Sequence, residues 1–361
     1  MNHQKLTLNR DSQSEELNSL YSVIKDHIPK RVKDQKNRNH SWQYGYNDQY
    51  DVVILSKTGR IGDIYNINGV NIALPDVPSN CTSRSSKSSE QYWERVDIPK
   101  QLGRIQSIFQ WHEMPKEFKA QYVDYIEKEF DRRDQGHWFM NNGTPTYMTG
   151  SHYMYLQWSK IDVGYPDFRE ANRIFFIYWE ACKVDYRSFG MVYLKIRRSG
   201  FSFMSSSECV NIATLAKDSR VGILSKTGSD AKKMFTDKVV PISLNYPFFF
   251  KPIQDGTTNP RVELAFREPA KRITKTNKVS GQTEALDTVI NWKNSVANAY
   301  DGEKLHYLYL DEAGKWENPL DINEVWRVHR TCLLVGKKIV GKAMVGSTVN
   351  PLDKGGANYK K

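Results

Sequence analysis

The sequence predicts an α/β protein: a mostly parallel sheet with helices on both faces, preceded by an N-terminal extension of mixed α/β character. Three observations carry that prediction. Apolar runs alternate with helix-patterned segments from about residue 136 to residue 356. One run, Met191–Ile196, enters a tight turn containing Gly200 that opens into a helix pattern marked by Met204, Val210 and Ala213. Two later runs, within 305–315 and 342–356, end in acidic or hydroxyl residues. A parallel sheet buried on both faces binds its ligands outside the carboxyl ends of its strands, where all three runs place polar groups.

The chain has 361 residues, enough for one large domain or a domain with an appendage. Its formal charge of +11 suits a polyanionic partner but does not bear on fold. Cys81, Cys182, Cys209 and Cys332 are scattered, with no C-x-x-C pair, which argues for reduced thiols against a disulfide framework or a zinc site. The N-terminus is polar, so no signal peptide is evident. The longest aromatic-apolar run, Ile174–Trp179, is far too short to span a membrane.

Residues 1–110 are expected to form the extension and 111–361 the main domain. Residues 1–41 are polar and basic, with one amphipathic stretch, Leu17–Ile28, and a basic run, Lys30–His40, that reads best as a solvated tail. From Tyr50 to Leu74 the pattern is β, with an Asn68–Gly69 hairpin signal. KTGRIGD, residues 57–63, imitates a phosphate loop but is followed by a strand pattern rather than a helix. The hexapeptide ILSKTG at Ile54 recurs at Ile223 with unlike surroundings, so it is no repeat. Residues 76–92 are Ser-rich and read as a mobile loop.

In the main domain, Glu113–Arg133 carries a helical stripe of Phe118, Tyr122, Tyr125, Ile126 and Phe130. Gly136–Trp158 gives two aromatic strands about Asn142–Gly143 and the start of a helix; Phe168–Asp185 reads as another helix. Strands are expected at Arg220–Thr227, at 262–268 and at 305–311, and helices at 229–243 and 323–334; Leu286–Asn294 is a strand or a loop.

The chemistry gathers at three places. Strand, glycine turn, hydroxyl residue and helix make the build of a phosphate-binding loop, with the backbone N–H groups and the helix N-terminus facing an anion. The usual spelling puts a lysine just before the hydroxyl residue; here Phe201 stands before Ser202, and Lys195, Arg197 and Arg198 come earlier. LHYLYLDEAGK, residues 305–315, is an apolar run feeding an acidic pair, in which Asp311 would hold Mg²⁺ and Glu312 would polarise a water. KAMVGSTVN, residues 342–350, ends in Ser347, Thr348 and Asn350, suited to sensing a terminal phosphate. Each has a plain structural reading, as a basic turn, a solvated acidic turn or a polar strand end; their order weighs against it.

Lys195, Arg198, Gly200, Phe201 and Ser202 fit the pattern K-x-x-R-x-G-[aromatic]-S, and with LDEAGK and GSTVN they resemble the large terminase subunits of tailed bacteriophages, most of all those of crAss-like phages, over residues 136–356. The resemblance implies an ASCE-type, RecA-like P-loop NTPase that hydrolyses ATP with Mg²⁺ and moves double-stranded DNA. Under it, Lys195 and Arg198 meet the phosphates, helped by a loop of Arg197, Ser199, Gly200, Phe201 and Phe203; Ser202 and Asp311 hold the metal; Glu312 activates water; and Ser347, Thr348 and Asn350 couple hydrolysis to movement. An adenine contact would come from His152, with Tyr147, Tyr153 and Gln157 as neighbours, although a core role suits these aromatics better. A trans-acting arginine is expected from Arg261, Arg267 or Arg272. The partners implied are copies of the chain in a ring on a portal protein, a small terminase subunit and DNA, in the host cytoplasm and without a membrane. Past the third motif only Asp353 is acidic, so the family's nuclease domain is expected to be absent. The alternatives are another P-loop motor, such as a helicase, and a non-catalytic DNA-binding or scaffold protein with a degenerate site.

Overall fold

The computed structural model describes residues 30–31, 42–81, 92–162, 164–257, 259–267, 285–316, 321–351 and 356–360. The Leu17–Ile28 stretch and all but Lys30–Arg31 of the basic run lie outside them, as do residues 82–91 of the Ser-rich loop. The described chain divides into two compact units, Met1–Val77 and Pro78–Lys361. The boundary therefore falls earlier than the expected 110. Leu102, Ile105 and Trp111 bury their side chains with Phe118, Tyr122 and Phe248, which ties that segment to the second unit.

The first unit is a five-stranded sheet of β1 (Lys30–Arg31), β2 (Gly45–Asn47), β3 (Val52–Ile54), β4 (Ile61–Ile67) and β5 (Val70–Pro75), in the order β1-β4-β5-β3-β2. Asn68 and Gly69 turn β4 into β5 with φ of 50° and 81°, the left-handed pair that a two-residue hairpin demands. β4 begins at Ile61, so KTGRIGD leads into a strand and no helix follows Gly62. Val52, Ile54 and Ala73 form the core of this sheet.

In the second unit a second hairpin, β6 (His137–Asn141) and β7 (Thr144–Met148), turns at Asn142–Gly143. The main sheet comprises β8 (Gly190–Lys195), β9 (Arg220–Leu224), β10 (Glu263–Phe266), β11 (Thr288–Trp292), β12 (Tyr307–Asp311) and β15 (Lys342–Thr348); between the last two, β13 (Leu334–Val335) and β14 (Lys338–Ile339) pair as a small hairpin. The order is β10-β11-β9-β12-β15-β8, parallel throughout except for β10 at one edge. The fold is thus mixed α/β with a mostly parallel sheet. Helical cover on both faces buries all of β12 and β15. On β12, Tyr307 and Tyr309 enter one core with Phe176, Trp179 and Met204, while Leu308 and Leu310 enter the other with Val325 and Cys332. The two-residue side-chain period of a strand makes that division.

Most sequence-read elements appear with shifted ends. The helix expected at Glu113–Arg133 runs Lys116–Gln135 after a short helix, Ile108–Glu113, and stops at Gly136, φ 83°. Phe168–Asp185 narrows to Glu170–Val184, and the segment from Leu286 contains strand β11. The helix after β9 holds a π turn, Phe235–Val239, between Gly228–Met234 and Val240–Asn245. All four cysteines are buried free thiols. No helix among the described residues is long and apolar enough to cross a membrane.

Candidate functional site

The three polar strand ends converge. β15 lies between β8 and β12, in a register that sets Thr348 opposite Lys195 and Gly346 opposite Asp311. Lys195 Nζ stands 2.9 Å from Glu312 Oε1 and 3.7 Å from Asp311 Oδ1. The other Glu312 oxygen, Oε2, takes Lys315 Nζ at 2.6 Å and the Thr348 hydroxyl at 3.3 Å. Glu312 is therefore gripped at both oxygens, on a left-handed backbone with φ 51° and ψ 38°. A non-glycine residue rarely takes that conformation, and it is held here by its surroundings.

The two acids are electrostatically unlike. Burial pushes the Asp311 carboxyl above its ordinary range, and Lys195 and the Tyr309 hydroxyl offset this only in part. Burial acts on Glu312 in the same direction, but hydrogen bonds from Lys315 and Lys195 outweigh it and hold that carboxyl below its ordinary value.

From Lys195 the chain turns through Ile196–Gly200 into the helix Phe201–Ala213. Arg198 and Gly200 are both left-handed, at φ 63° and 84°. The helix N-cap is Gly200, and no side chain caps it; Phe203 N and Met204 N bond back to the Gly200 carbonyl, so Phe201 and Ser202 carry the N–H groups ahead of the helical ladder. The Ser199 hydroxyl is buried without a hydrogen-bond partner among the described residues. Behind the loop, Arg133 donates to Asn211 Oδ1 at 3.0 Å and to Thr214 Oγ1 at 2.7 Å, tying a cation to the C-terminal end of the same helix.

Residues 195–203 line a cavity of about 470 Å³ with Lys238, Glu312, Lys315 and Thr348. The Phe201 ring packs inward, 1% exposed, stacked on Tyr193 with centroids 5.4 Å apart. Gly346 of β15 makes room for it, since a Cβ there would meet Phe201 Cε1 at 2.1 Å. Lys195 Nζ lies 5.1 Å from the centroid of the same ring. The position before Ser202 is thus given to the core, and Lys195 stands at the end of the strand beside the acidic pair. Ser202 and Asp311 both neighbour the Tyr309 hydroxyl, which donates to Asp311 Oδ1 at 2.9 Å.

These groups suit a metal-bound anion. Ser202 and Asp311 are hard oxygen donors of the kind Mg²⁺ takes alongside water and phosphate. The orphaned Ser199 hydroxyl and the uncapped helix end suit the anion itself. No group of three or more His, Cys, Asp or Glu side chains that could hold a metal alone occurs among the described residues.

Other expected residues stand elsewhere. Ser347 is fully buried, and its hydroxyl donates to the Thr348 carbonyl at 2.8 Å; Asn350 lies beyond the strand end. The base-reading role expected of His152 and Tyr147 is corrected. His152 is fully buried between Phe168 and Phe176, at centroid distances of 5.6 and 4.9 Å, and burial, with Arg173 nearby, lowers its pKa to about 3. Tyr147 is 4% exposed and donates to the Gln135 carbonyl at 2.8 Å. The core role that suited these aromatics better is the one they take, because the helix Gly150–Trp158 is buried along its whole length. Tyr153 and Gln157 line a separate cavity with Trp93, Arg132 and His137. Arg267 is occupied by Asp255 at 2.9 Å and Glu263 at 3.3 Å; Arg261 is exposed, and Arg272 lies outside the described residues.

Two cavity residues escaped the sequence reading. Lys315 had a local signal, three residues after Glu312 in LDEAGK. Lys238 had none, since only the fold brings it to the loop from the helix after β9.

The fold and the site define a mixed α/β protein whose parallel strands present a basic loop, an acidic pair and a hydroxyl at one edge. In structure the chain is similar to the large terminase ATPase domain of Thermus phage P74-26, in two solved forms, one an arginine-to-alanine mutant. Each aligns with a TM-score of 0.32 and 21% identity, over 44% of this chain and 58% of that one. A likeness of that size assigns no residue a role. No family model and no curated protein matches the chain.

Proposed function

We propose that the chain is a nucleoside-triphosphate hydrolase, the P-loop ATPase of a phage large terminase. The observation that carries the proposal is the meeting of Lys195, Asp311, Glu312 and Thr348 in front of an uncapped helix N-terminus. An ASCE arrangement is supported by β15 lying between the loop strand β8 and the acidic strand β12. Lys195 and Arg198 bind the phosphates, and Gly200 lets the backbone approach them. Ser202 and Asp311 hold Mg²⁺, which when bound neutralises phosphate charge. Glu312 orients and deprotonates the attacking water once phosphate competes for its lysines. Thr348, joined to Glu312, is the best placed of the three coupling residues.

The finer reading follows the motif. The motor moves double-stranded DNA, works as a ring on a portal with a small terminase subunit in the host cytoplasm, and takes an arginine from a neighbouring copy, for which Arg261 is the freest described candidate. The lysine-first loop favours a crAss-like relative. The test is steady-state phosphate release from MgATP, with and without double-stranded DNA. Turnover that needs Mg²⁺ and rises with DNA is expected; no turnover in a folded chain that also binds no nucleotide would overturn the proposal.

A further inference from the structure

Three lysines line the loop cavity, and they are not equivalent. Lys195 and Lys315 are both spent on Glu312, at 2.9 and 2.6 Å. Lys238 makes no ion pair among the described residues. Its ammonium lies instead 5.1 Å from the centroid of Phe203, in the first turn of the helix that follows the loop. This mirrors Lys195, which approaches Phe201 of the same turn at the same distance from the strand side. A cation–π contact of this kind biases where a lysine stem rests without removing its charge.

The backbone that delivers Lys238 is irregular. It belongs to the π turn Phe235–Val239, which Phe235, Val239 and Val240 anchor in the core at 0%, 0% and 1% exposure. A π turn adds a residue to a helical turn and so redirects the side chains that follow it; such turns recur at functional sites. Lys238 is half-buried between these anchors and reaches the cavity.

We propose that Lys238 is a further phosphate-facing cation of this site, carried to the loop by the π turn and left unpaired for the incoming anion. The proposal rests on the nucleotide-hydrolase reading. Lys195 and Lys315 must first exchange a carboxylate for phosphate, whereas Lys238 has no carboxylate to leave, only the face of Phe203. It therefore contributes to capturing the nucleotide as well as to the charge balance of the bound state.

The experiment is equilibrium binding of a fluorescent ATP analogue with Mg²⁺ to wild type, Lys238→Gln and Lys238→Arg, with melting temperature measured alongside. Lys238→Gln should weaken binding by roughly tenfold, about 1.4 kcal/mol, while Lys238→Arg stays within about threefold of wild type. Rescue by arginine with unchanged melting is what a purely structural role would not produce. If folded Lys238→Gln binds as wild type does, Lys238 is not a phosphate contact, and the hydrolase reading stands untouched. If Lys238→Gln and Lys238→Arg lose binding and stability alike, the residue only supports the π turn and the inference falls. If wild type itself binds no nucleotide, the hydrolase reading fails first and takes this inference with it.

Discussion

Replacing Lys195 by alanine tests the site at its centre. The change removes the only lysine that reaches both acids among the described residues, at 2.9 Å from Glu312 and 3.7 Å from Asp311. The Lys195 and Asp311 side chains are each 8% exposed, so solvent screens the contact little. Removing one partner of a buried pair costs about 3–5 kcal/mol when the other charge is stranded. Here Glu312 keeps Lys315 at 2.6 Å, and Asp311, already raised by burial, can take up a proton instead. A loss of about 2 kcal/mol is therefore expected, below the full penalty and small enough for the protein to stay folded. If the chain is the hydrolase proposed above, the catalytic cost is larger, because the variant loses a preorganised cation for the transferred phosphoryl group, worth on the order of 10²–10³ in rate. Phosphate release from MgATP, with circular dichroism at the assay temperature, measures both. A folded Lys195→Ala protein turning over within about threefold of wild type would refute the reasoning, since a tenfold change already needs about 1.4 kcal/mol.

Glu312→Gln keeps shape and polarity but cannot accept a proton, so nucleotide binding should persist while kcat falls by at least about 10²-fold; unchanged single-turnover hydrolysis would remove Glu312 from the chemistry. Gly346→Ala should destabilise the fold by about 1–3 kcal/mol in denaturant titration, because its methyl group collides with the Phe201 ring. His152, with a folded pKa of about 3, binds a proton more readily when unfolded. Its contribution to stability is thus intact above pH 6.5 and lost on acidification below it, by about 1.4 kcal/mol per pH unit. His152→Phe should flatten the stability–pH curve between about pH 6.5 and 4.5, and an unchanged slope would contradict a neutral buried imidazole. With a formal charge of +11, the chain should bind double-stranded DNA with an affinity that falls at least roughly tenfold from about 50 to 200 mM salt, measured by fluorescence anisotropy; indifference to salt would count against phosphate contacts.

The strands that build the site were legible because their ends combine two signals, an apolar run and an abrupt polar terminus. Both copies of ILSKTG illustrate what local sequence can and cannot say. Ile54 and Ile223 each lie within a strand, yet Thr227 caps a helix after the second copy while β4 follows the first. The residues downstream decide, SDAKKMF against RIGDIYNI. For His152 and Tyr147 the sequence left two readings open, with the core favoured, because a buried aromatic and a base-stacking aromatic share one pattern; only burial separates them. Lys238 was invisible because its nearness to the loop is a property of sheet order and of the π turn, neither of which has a spelling.

The contact between Phe201 and Gly346 also bears on how such a loop could change over generations. The two residues lie 145 positions apart yet fill one volume, since the ring occupies the space that a side chain at 346 would need. Placing a lysine at position 201 would empty an aromatic pocket beside Tyr193, Phe175 and Tyr309 and set a charge in it. Enlarging residue 346 alone would evict the ring. Either step by itself passes through a damaged protein, so packing alone holds an aromatic residue at 201 and a glycine at 346 together. Among relatives, residues 201 and 346 are expected to vary as a pair, and the placement of the cation to follow them.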